Sequence, residues 1–141
     1  MPIVAFKQVY LMNPMIMKIL VVDDEVDVKD LFEQRFRREI RSGEFELAFA
    51  NSGEEALTYL DGHPSEIILI LSDINMPGMS GFELLRHIRS DFNAPPPPIV
   101  MMITAYGDPG SQQQAVELGA NDFLTKPLDF TVLKQKLRDV A

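Results

Sequence analysis

Cysteine is missing from all 141 residues. Disulfide staples and thiol chemistry are therefore excluded, which fits a reducing compartment and makes the cytoplasm the expected location. Basic residues are scarce too: 13 Lys and Arg stand against 21 Asp and Glu, a net charge of −8. With no basic stripe to neutralise phosphates, a direct nucleic-acid partner is not expected. No apolar run approaches the roughly 20 residues that cross a bilayer, so no membrane partner is expected either. A His/Cys cluster for a soft metal is lacking, as is a glycine-rich phosphate loop ending in Gly-Lys-Ser/Thr. Apolar residues, by contrast, make up 46% of the chain, enough for one domain with a real core.

The stretch that organises the chain is Ile67-Ile68-Leu69-Ile70-Leu71-Ser72-Asp73, followed by the turn residues of Asn75-Met76-Pro77-Gly78. Five consecutive aliphatics ahead of a turn predict a strand buried on both faces, the kind found in a parallel sheet. An aspartate at the dry end of such a strand is costly unless something pairs with it. A lone Asp in that place also starts turns and caps helices, so Asp73 needs the rest of the chain to decide its role.

Residues 1–17 are apolar, with a single charge, and lack the basic start and cleavage site of a secretory signal. They are read as an N-terminal extension or a cloning remnant, and 18–141 as the domain. Lys18-Ile19-Leu20-Val21-Val22 predicts a second strand, with Asp23-Asp24-Glu25 directly after it. A helix follows from Val26 to about Glu39, broken by Ser42-Gly43. The alternation in 45–50 predicts a strand nearer a sheet edge. Ser52-Gly53-Glu54-Glu55 and Ser80-Gly81-Phe82-Glu83 are capping-box starts for two further helices. Pro95 to Pro98 stiffen a surface loop and do not mark a domain boundary, because Ile99-Val100-Met101-Met102-Ile103 resumes as a buried strand. Asp108-Pro109 starts a fourth helix that Gly119 closes. A short fifth strand at 121–124 and a last helix from Asp129 complete five strand–helix units. That alternation specifies a doubly wound parallel α/β sheet with helices on both faces.

The polar residues ending these strands converge on one rim: Asp23 and Asp24, Asp73, Thr104 and Lys126. Carboxylates ~4 Å apart repel by about 4 kcal/mol per pair at an effective dielectric near 20. Lys126 supplies one compensating charge. A hard divalent cation with oxygen ligands, Mg²⁺, is the natural second source.

Val21-Val22-Asp23-Asp24-Glu25, Ser72-Asp73-Ile74-Asn75-Met76-Pro77-Gly78, Ile103-Thr104-Ala105 and Leu124-Thr125-Lys126-Pro127 together resemble the receiver domain of two-component response regulators. The likeness runs from about Lys18 to Ala141. It implies a flavodoxin-like fold with five helices and strand order 2-1-3-4-5. It implies that Asp73 takes a phosphoryl group from a phosphohistidine on a sensor histidine kinase or histidine phosphotransfer protein. Asp24, Asp73 and the Asn75 backbone carbonyl would hold Mg²⁺, with Asp23 acting mostly through water. Lys126 would pair with Asp73 and then with the phosphoryl group. Thr104 and Phe123 would switch together, changing the surface of the fourth helix, fifth strand and fifth helix toward a downstream effector domain or protein. The resemblance leaves homodimerisation open.

The departures are a long connection over 37–44 and the proline run. Asn75 and Tyr106 stand where the family tunes phosphoryl lifetime. Two other readings compete with a switch that catalyses only its own phosphorylation and dephosphorylation. A Mg²⁺-dependent aspartyl-phosphate phosphohydrolase of the haloacid-dehalogenase type needs a second Asp two residues after the nucleophile, where this chain has Asn75. A pseudo-receiver that only binds partners has no need of intact Asp24, Asp73 and Lys126.

Overall fold

The computed structural model describes residues 16–63, 69–105 and 108–140. Five strands, β1 (Met17–Val22), β2 (Phe45–Ala50), β3 (Leu69–Asp73), β4 (Ile99–Thr104) and β5 (Asp122–Thr125), form one sheet in the order β2-β1-β3-β4-β5. Every pairing is parallel. The expected order and fold are thus present. Met17, assigned above to the extension, is the first residue of β1 and pairs with Phe45. The first 15 residues, and Ile67 and Ile68 of the expected third strand, lie outside the described residues.

Six helices accompany the strands: α1 (Asp27–Arg35), α2 (Arg37–Ser42), α3 (Gly53–Gly62), α4 (Gly81–Asp91), α5 (Pro109–Glu117) and α6 (Phe130–Val140). They cover both faces. On one, Phe32 and Phe36 and then Leu133 and Leu137 of α6 pack on Ile19, Val21, Leu71 and Met101. On the other, Ala56 and Leu60 of α3, Leu84, Leu85 and Ile88 of α4 and Ala115 of α5 pack on Leu20, Val22, Ile70 and Met102. Alternate residues of each strand thus feed opposite layers, as the two-residue period of a strand requires.

Five helices were expected and six occur, because the predicted 26–39 helix breaks at Phe36 (φ −103°, ψ 13°) and resumes as α2 to Ser42. One straight helix over 27–42 would run ~24 Å at 1.5 Å per residue, whereas a six-residue strand beneath it covers only ~20 Å. The bend returns the chain to the start of β2, and Gly43, at φ +81°, turns it there. Phe36 is fully buried, its ring 5.7 Å from Phe32, 5.8 Å from Phe45 and 6.0 Å from Phe130.

Beyond the bend Glu39 is buried, which its polarity gave no reason to expect. Lys134 of α6 stands 3.1 Å from its Oε1, but off the hydrogen-bonding direction, and Arg138 stands 3.5 Å from Oε2. The Lys134 ammonium donates to the Arg35 carbonyl at 2.7 Å. Arg138 also grips Glu44 with two hydrogen bonds of 2.7 and 3.2 Å.

At the amino-terminal pole of the sheet Arg89 of α4 is a clamp. It donates to the carbonyls of Pro98 and Gly119 and to Oδ1 of Asn121, at 2.6, 2.9 and 2.8 Å. Asn121 Oδ1 also accepts from the Val100 amide at 2.8 Å.

Candidate functional site

Parallel pairing sets the carboxyl ends of β1, β3, β4 and β5 side by side: Val22 faces Ser72, Asp73 faces Ile103, and Thr104 faces Thr125. Asp73 is the last residue of β3, inside the strand and only 2% exposed, not the first residue of a turn. Asp23 follows β1 directly and is buried. Ligand-capable oxygens of Asp23, Asp24 and Asp73 lie within 4.8 Å of one another. The Lys126 ammonium reaches in from beyond β5 and donates to Asp73 Oδ2 at 3.1 Å. Four of the sequence-predicted residues are therefore one constellation.

The electrostatics follow from crowding. Burial pushes the Asp23 carboxyl above the ordinary aspartate value, and the Asp73 charge pushes the same way. The Glu25 amide, donating to Asp23 Oδ1 at 2.9 Å, and Lys126 oppose it only in part. Burial works against the Lys126 ammonium. Its hydrogen bond to Asp73 and the charges of Asp73, Asp23 and Glu25 outweigh that, holding its pKa above the usual lysine value. Three acids against one lysine leave two negative charges uncompensated. An all-oxygen donor set of this kind fits a hard divalent cation.

The other predicted residues sit around this core. Thr104 ends β4 and is wholly buried, and its hydroxyl donates to the Leu124 carbonyl at 3.3 Å. Phe123 lies two register pairs back from the rim, opposite Met102, half-buried on the α3–α4–α5 side of the sheet. Asn75 is exposed two residues past Asp73. Tyr106 falls outside the described residues.

Gly81 was missed as a site residue. A Cβ there would strike the Asp73 carbonyl oxygen and lie 2.8 Å from Ile74 Cα. The Gly81 amide donates to the Ile74 carbonyl at 2.8 Å, so α4 begins hard against the backbone of the acidic strand. The capping-box pattern accounted for Ser80 and Glu83, and Ser80 Oγ does accept from the Glu83 amide at 3.2 Å. That pattern carries no sign of the close approach.

Fold and site define a doubly wound α/β protein whose working groups are three carboxylates and a lysine at one lip of the sheet. Residues 19–138 match the family model of the response regulator receiver domain, and the chain belongs to that family. It is 33% identical over 122 residues to response regulator RppA of Synechocystis sp., covering 86% of this chain and 49% of RppA. It is 38% identical over 125 residues to response regulator PleD of Caulobacter vibrioides, covering 88% of this chain and 26% of PleD. The chain thus spans half or less of these relatives. A receiver domain protein from Clostridium thermocellum superposes with TM-score 0.76 at 27% identity, covering 88% of this chain and 93% of that one. The Saccharomyces cerevisiae co-crystal of the histidine phosphotransfer protein Ypd1 with the Ssk1 receiver domain gives TM-score 0.75 at 25% identity, with 86% of each chain covered. Receivers are signalling switches, not turnover enzymes in the ordinary sense. Among the described residues no helix is long and apolar enough to cross a membrane.

Proposed function

We propose that Asp73 is the phosphoacceptor of this receiver and acts in the cytoplasm. Its carboxylate attacks the phosphorus of a phosphohistidine on a histidine kinase or phosphotransfer protein. A P–O bond forms, the P–N bond breaks, and the imidazole nitrogen leaves with its electron pair. The observation that carries this reading is the buried Asp73 held 3.1 Å from Lys126 among two further acids.

Asp23, Asp24, Asp73 and the Asn75 carbonyl would hold Mg²⁺, which supplies the positive charge that offsets repulsion between carboxylate and phosphoryl oxygens. The residues divide the remaining work. Asp73 is fixed in a strand, so the attacking group is already oriented. Lys126, kept protonated by its neighbours, passes from the carboxylate to a phosphoryl oxygen.

The new group adds about −1.5 to −2 charges at the rim. Thr104 can exchange its acceptor at Leu124 for a phosphoryl oxygen, which loosens β5 from β4 and lets Phe123 repack toward the core. The surface that changes is that of α5, β5 and α6. These are the fourth helix, fifth strand and fifth helix of the sequence reading, renumbered by the split at Phe36.

The test is incubation with Mg²⁺ and acetyl phosphate or beryllofluoride. One adduct per chain, lost in Asp73→Asn, is expected. Continuous turnover of a phosphate ester would favour the phosphohydrolase, and absence of any adduct the pseudo-receiver.

A further inference from the structure

The proposed Mg²⁺ site takes one ligand from a loop, the Asn75 carbonyl, and residues 74–80 make few hydrogen bonds to their own neighbours in sequence. At the base, the Gly81 amide closes back on the Ile74 carbonyl at 2.8 Å. Two residues ahead of Gly81, the partner is remote. The Met79 amide donates at 3.0 Å to Oε1 of Glu54, a residue 25 positions earlier in the first turn of α3.

Two glycines let the pieces meet. Gly78, at φ +74°, turns its hydrogen-bearing side to Glu54, and a Cβ there would lie 3.6 Å from both carboxylate oxygens. Gly53 leaves room for Met79, whose Sδ would lie 2.8 Å from an added Cβ. Glu54 lies in the first turn of α3, inside the capping-box stretch Ser52-Gly53-Glu54-Glu55. The cap itself is made without its side chain, by Ser52 Oγ accepting from the Glu55 amide at 3.0 Å.

We infer that Glu54 is a positioning residue: its carboxylate latches the 75–80 loop to α3 and thereby holds the Asn75 carbonyl where a rim cation can use it. The inference rests on the metal site proposed above. A loop also held at Met79 presents its carbonyl at less ordering cost when the ion arrives. A loop closed only by the Ile74–Gly81 hydrogen bond must be ordered further by the ion itself. The latch also makes the start of α3 sensitive to whether the rim is occupied, because the hydrogen bond and the ion act on one short loop.

The experiment is calorimetric titration of the full chain with MgCl2, with thermal melts of the same samples in EDTA. Glu54→Ala removes the acceptor. Glu54→Gln keeps an oxygen acceptor and removes the charge. Glu55→Ala, one residue on, where the backbone amide and not the side chain makes the cap, removes a charge from the same turn. The expected result is a loss of Mg²⁺ affinity of about tenfold in E54A, the low end of what outer partners of metal ligands contribute. E54Q and E55A should stay within about twofold of wild type, and the melting temperature in EDTA should be almost unchanged in all three.

Wild-type affinity in E54A overturns the latch. A loss in E54Q or E55A as large as in E54A also overturns it, since charge and not contact would then be responsible. So does a lowered melting temperature in E54A with unchanged affinity, which marks a purely structural contact. A wild-type chain that binds no Mg²⁺ overturns the reading of the site, and the latch with it.

Discussion

Gly81→Ala measures how tightly the acidic strand is braced. Gly81 and Gly53 are both the first residues of helices, each preceded by a serine cap. Alanine gains the same helix propensity at either position, at most ~1 kcal/mol, so that gain cancels between them. What differs is the wall that the new methyl meets.

At Gly53 the wall is the Met79 side chain, with Sδ at 2.8 Å, Cγ at 3.0 Å and Cβ at 3.1 Å. A thioether with three rotatable bonds can withdraw. At Gly81 the wall is the Asp73 carbonyl oxygen and Ile74 Cα, with Met102 Cε also at 2.8 Å. Met102 can yield, but the backbone of β3 is held by β1 on one side and β4 on the other. Relief then requires moving α4 or the end of β3. Overpacking of this kind costs about 1–3 kcal/mol, and a backbone obstacle belongs at the upper end. At 2–4 °C per kcal/mol for a chain of about this size, a cost of about 2–3 kcal/mol should make G81A melt ~4–12 °C below wild type. G53A should stay within about 3 °C. The assay is a thermal melt in EDTA, checked by urea unfolding with the m-value compared. Equal midpoints for the two variants would refute the idea that β3 is the stiffer wall.

Because burial raises the Asp23 carboxyl, native metal-free protein holds that proton to higher pH than the unfolded chain does. Its contribution to stability is therefore lost as pH rises from the unfolded value through the folded one. Added Mg²⁺ should raise the melting temperature more at pH 7.5 than at pH 4.5, and the reverse order would contradict the assignment. Lys134→Ala strips the nearer cation from buried Glu39 and should cost about 2–3 kcal/mol. Lys136→Ala breaks only the half-exposed 2.7 Å pair with Asp122 and should cost under ~1 kcal/mol, both read by urea unfolding. Arg89→Ala removes three hydrogen bonds at the far pole, for a loss of about 2–3 kcal/mol. Its beryllofluoride adduct should form as in wild type, so a lost adduct in a folded R89A would show that the poles are not independent.

Much of this molecule could be read from residue order. Aliphatic runs ending in Asp, Thr or a nearby Lys gave the sheet, its parallel sense and the four residues that meet at its lip, because strand direction alone sends those positions to one edge. Asp73 and Thr104 lie inside their strands, a detail that periodicity cannot show because a polar residue ends an apolar run whether or not pairing continues. The break at Phe36 was hidden, since Phe32 and Phe36 keep helical spacing straight through it. Glu39 was invisible for another reason: its burial depends on Lys134 and Arg138, about a hundred residues away. Gly81 and Glu54 have the same character, as both act across space on a backbone that no local pattern mentions.

The Arg89 clamp bears on how a signal could move. It seizes the Gly119 carbonyl just past the end of α5, whereas at the other end Asp108 caps the helix through hydrogen bonds to its own Ser111. A rod pinned at its tail tilts when its other end is pushed; it does not slide. Any rearrangement begun at the acidic lip should therefore be largest at Asp108 and die away toward Leu118, as a lever turns about its fulcrum.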